Sequence, residues 1–173
     1  PPFINAGIGF GGLVRGYNSY NITAIAKPNQ EDVALEAVLA ENEKIKRFGF
    51  TESELERVKT NMLVGLESAY KEKDKTNNES YISEMQSNFL EDEPILDFEY
   101  YYEFAKQVIP TITLEEVSAK AREWNTPKNR VMIISGPSED AEHLTQEEAM
   151  AIIGKVEKAD LAPFTAILKQ LKL

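Results

Sequence analysis

The chain has 173 residues, 42% of them apolar, with 19 basic against 29 acidic side chains and a formal net charge of -10. That length fits one domain, or one domain plus a linker, and no apolar run approaches the roughly 20 residues of a membrane-spanning helix. The acidic balance, with no clustered Lys or Arg, argues against nucleic acid as a partner. The absence of Cys removes disulfides, thiolate metal sites and cysteine nucleophiles, and leaves cytoplasm and bacterial periplasm or cell envelope both compatible.

No signal-peptide pattern opens the chain, and its start at Pro1-Pro2 without an initiator Met suggests a processed product or a fragment, of which we favour the fragment. Residues Ile4 to Tyr17 contain Gly7-Ile8-Gly9-Phe10-Gly11-Gly12, a formal G-x-G-x-x-G match. That pattern marks a dinucleotide site only where a helix follows. Here Ser19 to Ala26 alternates Tyr20, Ile22 and Ala24 against polar neighbours, which is strand periodicity. The stretch therefore reads as a β-hairpin turning near Arg15-Gly16-Tyr17-Asn18.

After Pro28, a helix opens at Asn29 or the Glu31-Asp32 pair and carries Leu35, Val38, Leu39, Asn42, Ile45 and Phe48 close to one face. It ends at Phe48-Gly49-Phe50, where Gly49 suits a left-handed helix end. The next helix starts within three residues, because Thr51 and Glu54 form a T-x-x-E capping box. Both long helices are expected to pack against a common partner. The second carries Leu55, Val58, Met62, Leu66 and Ala69 inward, and its mid-helix Gly65 suggests a close crossing.

A third helix follows the polar Asp74–Glu79 connection, marked by Tyr81, Ile82, Met85 and Phe89. Glu93-Pro94 opens a fourth, whose stripe is Ile95, Phe98, Tyr102, Ala105 and Ile109. Capping boxes at Thr113/Glu116 and Thr145/Glu148 open two more. Between these, Arg130 to Ser135 is a Val-Met-Ile-Ile run bounded by Pro127 and Gly136-Pro137, read as a strand buried on both faces. Ser138 to His143 is polar, and Pro163 with Lys169–Leu173 resembles the start of a linker. The fold class is α+β, an antiparallel or mixed sheet covered on one face by several helices. Residues 1-137 form the domain and residues 138-173 a helix and linker towards a following one.

The residues offer no self-sufficient active site. The single His, His143, lies beside Glu139, Asp140 and Glu142 in a polar stretch, whereas zinc needs three or four converging ligands. No G-x-S-x-G context surrounds any Ser. Glu41, Glu43, Glu52, Glu54 and Glu56 lie on helix faces, where solvation is the default. Of the run Glu99-Tyr100-Tyr101-Tyr102-Glu103, part belongs to the core, and Tyr100 or Tyr101 suits an interface. Asn21-Ile22-Thr23 and Asn78-Glu79-Ser80 are formal glycosylation sequons of little weight. We assign no catalytic residue, no metal ligand and no substrate-binding residue.

Gly49-Phe50-Thr51-x-x-Glu54-Leu55-x-Arg57-x-Lys59 resembles a corner motif of the M16 family of zinc metallopeptidases, the insulinase, pitrilysin and mitochondrial processing peptidase group. The glycine-rich hairpin, Asn88-Phe89-Leu90, Ile109–Val117 and Asn129–Pro137 follow in that family's order, so the likeness covers about Pro2 to Pro137. It implies an M16-like fold related to the split βαβ, in which paired α+β domains enclose a peptide-holding chamber. The family's zinc motif, H-x-x-E-H with a later Glu, belongs to the first domain of a half, and neither His exists here. The resemblance thus implies a second domain lacking its opening strand and helix, with the tail after Pro137 favouring the first half.

On that reading no cofactor belongs to this chain and zinc belongs to the parent. The partners are the parent's other domains and a peptide or protein substrate, and an exposed sheet edge leaves room for a homo-oligomer. Two other readings stay open. An inactive M16 homologue would use the domain as scaffold or peptide-binding module, and a free-standing binding domain would start natively near Pro1 and cover its own sheet edge.

Overall fold

The computed structural model describes residues 1–136 and 143–164, so the tail from Lys169 and most of the polar stretch before His143 lie outside the described residues. Two strands, β1 (Phe3–Val14) and β2 (Tyr17–Ala26), pair as the hairpin expected from the period-two pattern. Arg15 and Gly16 form its two-residue connection, with Gly16 at φ 81°, a conformation that tight hairpin turns require. β1 runs straight through the G-x-G-x-x-G stretch and is followed by a strand, so the helix that a dinucleotide site needs does not follow it. Six α-helices follow among the described residues: α1 (Glu31–Phe48), α2 (Glu52–Lys71), α3 (Asn78–Glu91), α4 (Phe98–Val108), α5 (Leu114–Trp124) and α6 (Gln146–Lys158). The chain is α+β, as expected.

The chain divides into two compact units. The first comprises residues Pro1–Gly11, Ser19–Phe50 and Val117 onwards; the second comprises Gly12–Asn18 and Thr51–Glu116. The two helices of the Gly49 corner therefore belong to different units, α1 to the first and α2 to the second.

In the first unit α1 packs along α6. Buried Ala34 on α1 and buried Ala149 and Val156 on α6 are small or β-branched. Arg47 fixes the end of α6: its Nη1 donates to Ala159 O at 2.7 Å and its Nη2 to Glu157 O at 2.8 Å. Carbonyls at a helix C-terminus lack intrahelical donors, so a cation there satisfies them and complements the dipole. The hairpin is tied to α1 by Tyr20, whose hydroxyl donates to Asn42 Oδ1 at 2.7 Å, and to α5 by Phe10, stacked on Trp124 with ring centroids 3.9 Å apart.

In the second unit α2 packs on α4. Leu55, Ala105 and Ile109 are its buried apolar residues, Tyr70 stacks on Tyr102 at 4.2 Å, and Lys59 Nζ donates to Pro110 O at 3.2 Å.

Several sequence expectations need correction. The fourth helix starts at Phe98 rather than at Glu93-Pro94, because Asp97 caps it by accepting from the Tyr100 amide at 3.0 Å. Gly49 has positive φ but lies at φ 74°, ψ -155°, outside the left-handed helical well and in a region open essentially to glycine alone. No close crossing occurs at Gly65, since a Cβ there would meet nothing within 4 Å. Phe48, Val58 and Met62 are exposed despite their places on apolar stripes. Among the described residues the Arg130–Ser135 run pairs with no strand, and its Val131 and Ile133 are 86% and 84% exposed. A strand needs a neighbour for its backbone groups, and the sheet has two members among the described residues.

Candidate functional site

The chemistry-bearing side chains are held by local structure. Thr51 forms its capping box, with the Thr51 amide donating to Glu54 Oε2 at 2.8 Å and the Glu54 amide donating to Thr51 Oγ1 at 3.3 Å. Thr113/Glu116 and Thr145/Glu148 repeat that geometry. Glu41 pairs with Lys44 at 2.7 Å, Glu43 with Arg47 at 2.8 Å, and Glu56 with Lys59 at 3.0 Å. These carboxylates cap helices or form i,i+3 and i,i+4 pairs on them. Such geometry stabilises a helix and does not point a base at a substrate.

The amide of Thr113, then its hydroxyl, holds the Glu116 carboxyl below the usual carboxylate range, and Thr145 does the same for Glu148. A depressed folded pKa means that the stabilising contribution is complete above the ordinary glutamate value of about 4.3 and is lost as pH falls through the lower folded value. Acid titration of stability is therefore expected to be shallower in Thr113→Ala and Thr145→Ala than in the parent chain. Chemical denaturation at a series of pH values below about 5 reads this directly.

His143 is placed by α1. Its Nδ1 lies 3.0 Å from Glu31 Oε1, the Leu144 amide donates to Glu31 Oε2 at 3.4 Å, and its ring sits where a side chain on Gly136 would project. Among the described residues no three His, Asp or Glu side chains converge as a metal site, and zinc needs three protein ligands.

In the second unit Glu99 accepts from the Tyr70 hydroxyl at 2.6 Å and from Lys73 Nζ at 3.2 Å. The Tyr70 hydroxyl, then Lys73, holds the Glu99 carboxyl low, and Glu99 in turn raises Tyr70 and Lys73. Lys73 also lies over the Tyr70 ring at 4.4 Å. Tyr102 is half-buried, while Tyr100 and Tyr101 are exposed. An open apolar hollow is lined by Ile82, Met85, Phe89 and Leu90 of α3, a helix with no buried residue.

The buried polar pair Asn42 and Asn125 is structural. Asn42 and Asn125 are buried, Asn42 accepts from Tyr20, and Asn125 Nδ2 approaches the Asn42 carbonyl at 3.5 Å. Burial raises the Tyr20 pKa, which keeps the hydroxyl a neutral donor. The sequence pattern had placed Asn42 on the inner face of α1; its partners, Tyr20 and Asn125, come from distant segments and carried no local signal.

No family model matches the chain. A zinc protease PQQL-like from Arabidopsis thaliana is 31% identical to it over 83 residues, which is 48% of this chain and 9% of that protein. The crystal structure of the periplasmic protease PqqL from Escherichia coli matches 95% of this chain with a TM-score of 0.78 at 20% identity. The structure of that protease's first half matches the same share with a TM-score of 0.74 at 18% identity. The M16 resemblance is borne out. A predicted insulinase family protease from Yersinia pestis adds a third fold match, with a TM-score of 0.66 over 88% of the chain at 13% identity. At these identities the solved structures speak for the fold. The chain spans 18% of PqqL, 36% of its first half and about a tenth of the curated relative it matches. Among the described residues no helix is long and apolar enough to cross a membrane.

Proposed function

We propose that this chain is a non-catalytic M16-like domain, residues 1-137, of a zinc-dependent metallopeptidase, with residues 138-173 leading towards a following domain. It contributes chamber wall, interdomain packing and substrate contact. The observation that carries this reading is the 31% identity over 83 residues to a protein named as a zinc protease. The ordered run of M16-like motifs from Gly49 to Pro137 supports it. Zinc bound in the parent would supply an activated water for peptide hydrolysis. The residues of this chain bind no part of that centre; they shape and close the space around a peptide. Exposed Tyr100 and Tyr101 suit that contact, since tyrosine brings large area at low entropy cost.

Reading the coding region on the N-terminal side of Pro1 tests the proposal. An H-x-x-E-H motif, with a Glu some tens of residues later, is the expected result. A similar domain without those residues would overturn the peptidase reading in favour of a scaffold or peptide-binding homologue. A reading frame starting near Pro1 would favour a free-standing binding domain.

A further inference from the structure

The apolar face of α3 is formed but uncovered among the described residues. No residue of this 14-residue helix is buried. Ile82, Met85 and Phe89, spaced three and four apart, line an open hollow of about 400 Å³ together with Gln86 and Leu90. Phe89 is 82% exposed. A helix of this length is marginal in water on its own and owes most of its stability to burial of an apolar stripe. The ends of α3 are nevertheless fixed. The Asn77 side chain accepts from the Ser80 amide at 3.0 Å, and Asn88 Nδ2 donates to the Glu93 carbonyl at 2.6 Å. A surface already held in its bound shape forfeits little entropy when a partner lands on it.

Charge selects the kind of partner. From Thr76 to Ala105 the chain carries eight acidic side chains and no Lys or Arg. Glu99 and Glu103 are paired with Lys73 and Lys106, and Asp97 caps α4. Among the described residues the other five, Glu79, Glu84, Glu91, Asp92 and Glu93, have no cation beside them. Three of the five stand together at the C-terminus of α3, whose last turn holds no basic residue. The negative end of the helix dipole lies there, so each carboxylate is unfavourable and a cation is welcome. The surface is thus apolar along the helix and anionic at its end.

We propose that the α3 face is a docking site for a cationic amphipathic helix of a separate protein. Large apolar side chains of that helix fill the hollow beside Met85 and Phe89, and its Lys or Arg residues face Glu91, Asp92 and Glu93. The thioether of Met85 adapts to such side chains without demanding one shape. The same charge sets other occupants aside. An anionic lipid surface, a nucleic acid and a second copy of this chain, which carries a net charge of -10, are all repelled. Docking here goes beyond the chamber role, since it needs neither zinc nor cleavage.

The test titrates the 173-residue chain and the full-length parent with two synthetic helical peptides. One is built of Leu and Lys with its Leu residues on one face, the other of Leu and Glu in the same pattern. The expected result is that the Leu/Lys peptide binds both proteins and the Leu/Glu peptide binds neither. Phe89→Ser is expected to weaken binding about tenfold. The triple variant Glu91→Gln, Asp92→Asn, Glu93→Gln is expected to do the same, and salt at about 0.5 M to erase its difference from the unsubstituted chain. All four side chains are exposed, so the helical circular dichroism stays unchanged. Unaltered affinity in both variants, or binding of the Leu/Glu peptide, would overturn the proposal. Binding by the short chain but not by the parent would also overturn it and assign the face to another domain of the parent. Self-association of the short chain, abolished by Phe89→Ser, would overturn it in favour of a second copy. The readout uses neither zinc nor hydrolysis, so a parent that binds the peptide but lacks the zinc motif would sink the peptidase reading alone. A zinc-dependent parent that ignores the peptide would sink this proposal alone.

Discussion

Replacing Gly49 with alanine is expected to destabilise the chain by about 3 kcal/mol, through backbone strain and overpacking together. Gly49 sits at φ 74°, ψ -155°, where a side chain collides with its own backbone. A Cβ there would also lie 2.5 Å from Ser118 Oγ and 2.8 Å from Ser118 Cβ. Ser118 is itself buried and bound, accepting from the Phe50 amide at 3.2 Å, so it has little room to retreat. Gly65→Ala provides the contrast. A Cβ there meets open space on a helix, and that substitution is expected to stabilise by about 1 kcal/mol. Urea unfolding of both variants gives the two signs. Ser118→Gly placed in the Gly49→Ala background should recover the part due to collision and leave the part due to strain. Equal stability of Gly49→Ala and the parent chain would show that the corner is not packed as described.

Asn42→Leu is expected to cost about 2 kcal/mol, because it leaves the part-buried Tyr20 hydroxyl without its acceptor. The bond is short, 2.7 Å, and Asn42 is buried on α1. Tyr20→Phe alone removes a hydroxyl and strands the Asn42 amide, at about 1 kcal/mol. The double variant should be less destabilised than the two singles summed, with a coupling of about 0.5 kcal/mol or more, because each single change orphans a group that the double change removes. Strict additivity would mean that the hairpin and α1 are not joined through this contact.

The parts of the fold visible in the sequence are those whose causes are local. The three capping boxes are chemistry between residues three apart, and each forms as read. The hairpin follows from alternation in Ser19 to Ala26 and a glycine at its turn. Periodicity tells which residues share a helix face but not what covers that face. Phe48, Val58 and Met62 lie on apolar stripes and stay exposed for that reason. The start of α4 was obscured by Pro94, a good first-turn residue, while Asp97 three residues on supplies the cap. The capping of α6 by Arg47 joins residues more than a hundred positions apart and has no sequence signal. Gly49 was legible as a glycine-requiring position, but the closeness of Ser118, which leaves no room for a Cβ there, is a non-local fact. Arg130 to Ser135 has the composition of an inner strand but no strand neighbour among the described residues, so composition there described a larger sheet than those residues form.

The candidate site shows the same division. His143 was read as lacking the company a zinc ligand needs, and the structure gives it Glu31, a partner 112 positions away. The motif corner that carried the family resemblance turned out to be a set of structural contacts among Gly49, Phe50 and Ser118 together with the cap at Thr51. A motif of that kind reports fold reliably and reports chemistry only through the rest of the protein.

The most direct test of the account is metal analysis of the full-length parent and of the purified 173-residue chain, each run beside a peptide-hydrolysis assay. The account predicts about one tightly held zinc per parent chain with chelator-sensitive hydrolysis, and neither zinc nor hydrolysis in the short chain. Stoichiometric zinc held by the short chain, or a parent that holds none, would contradict it.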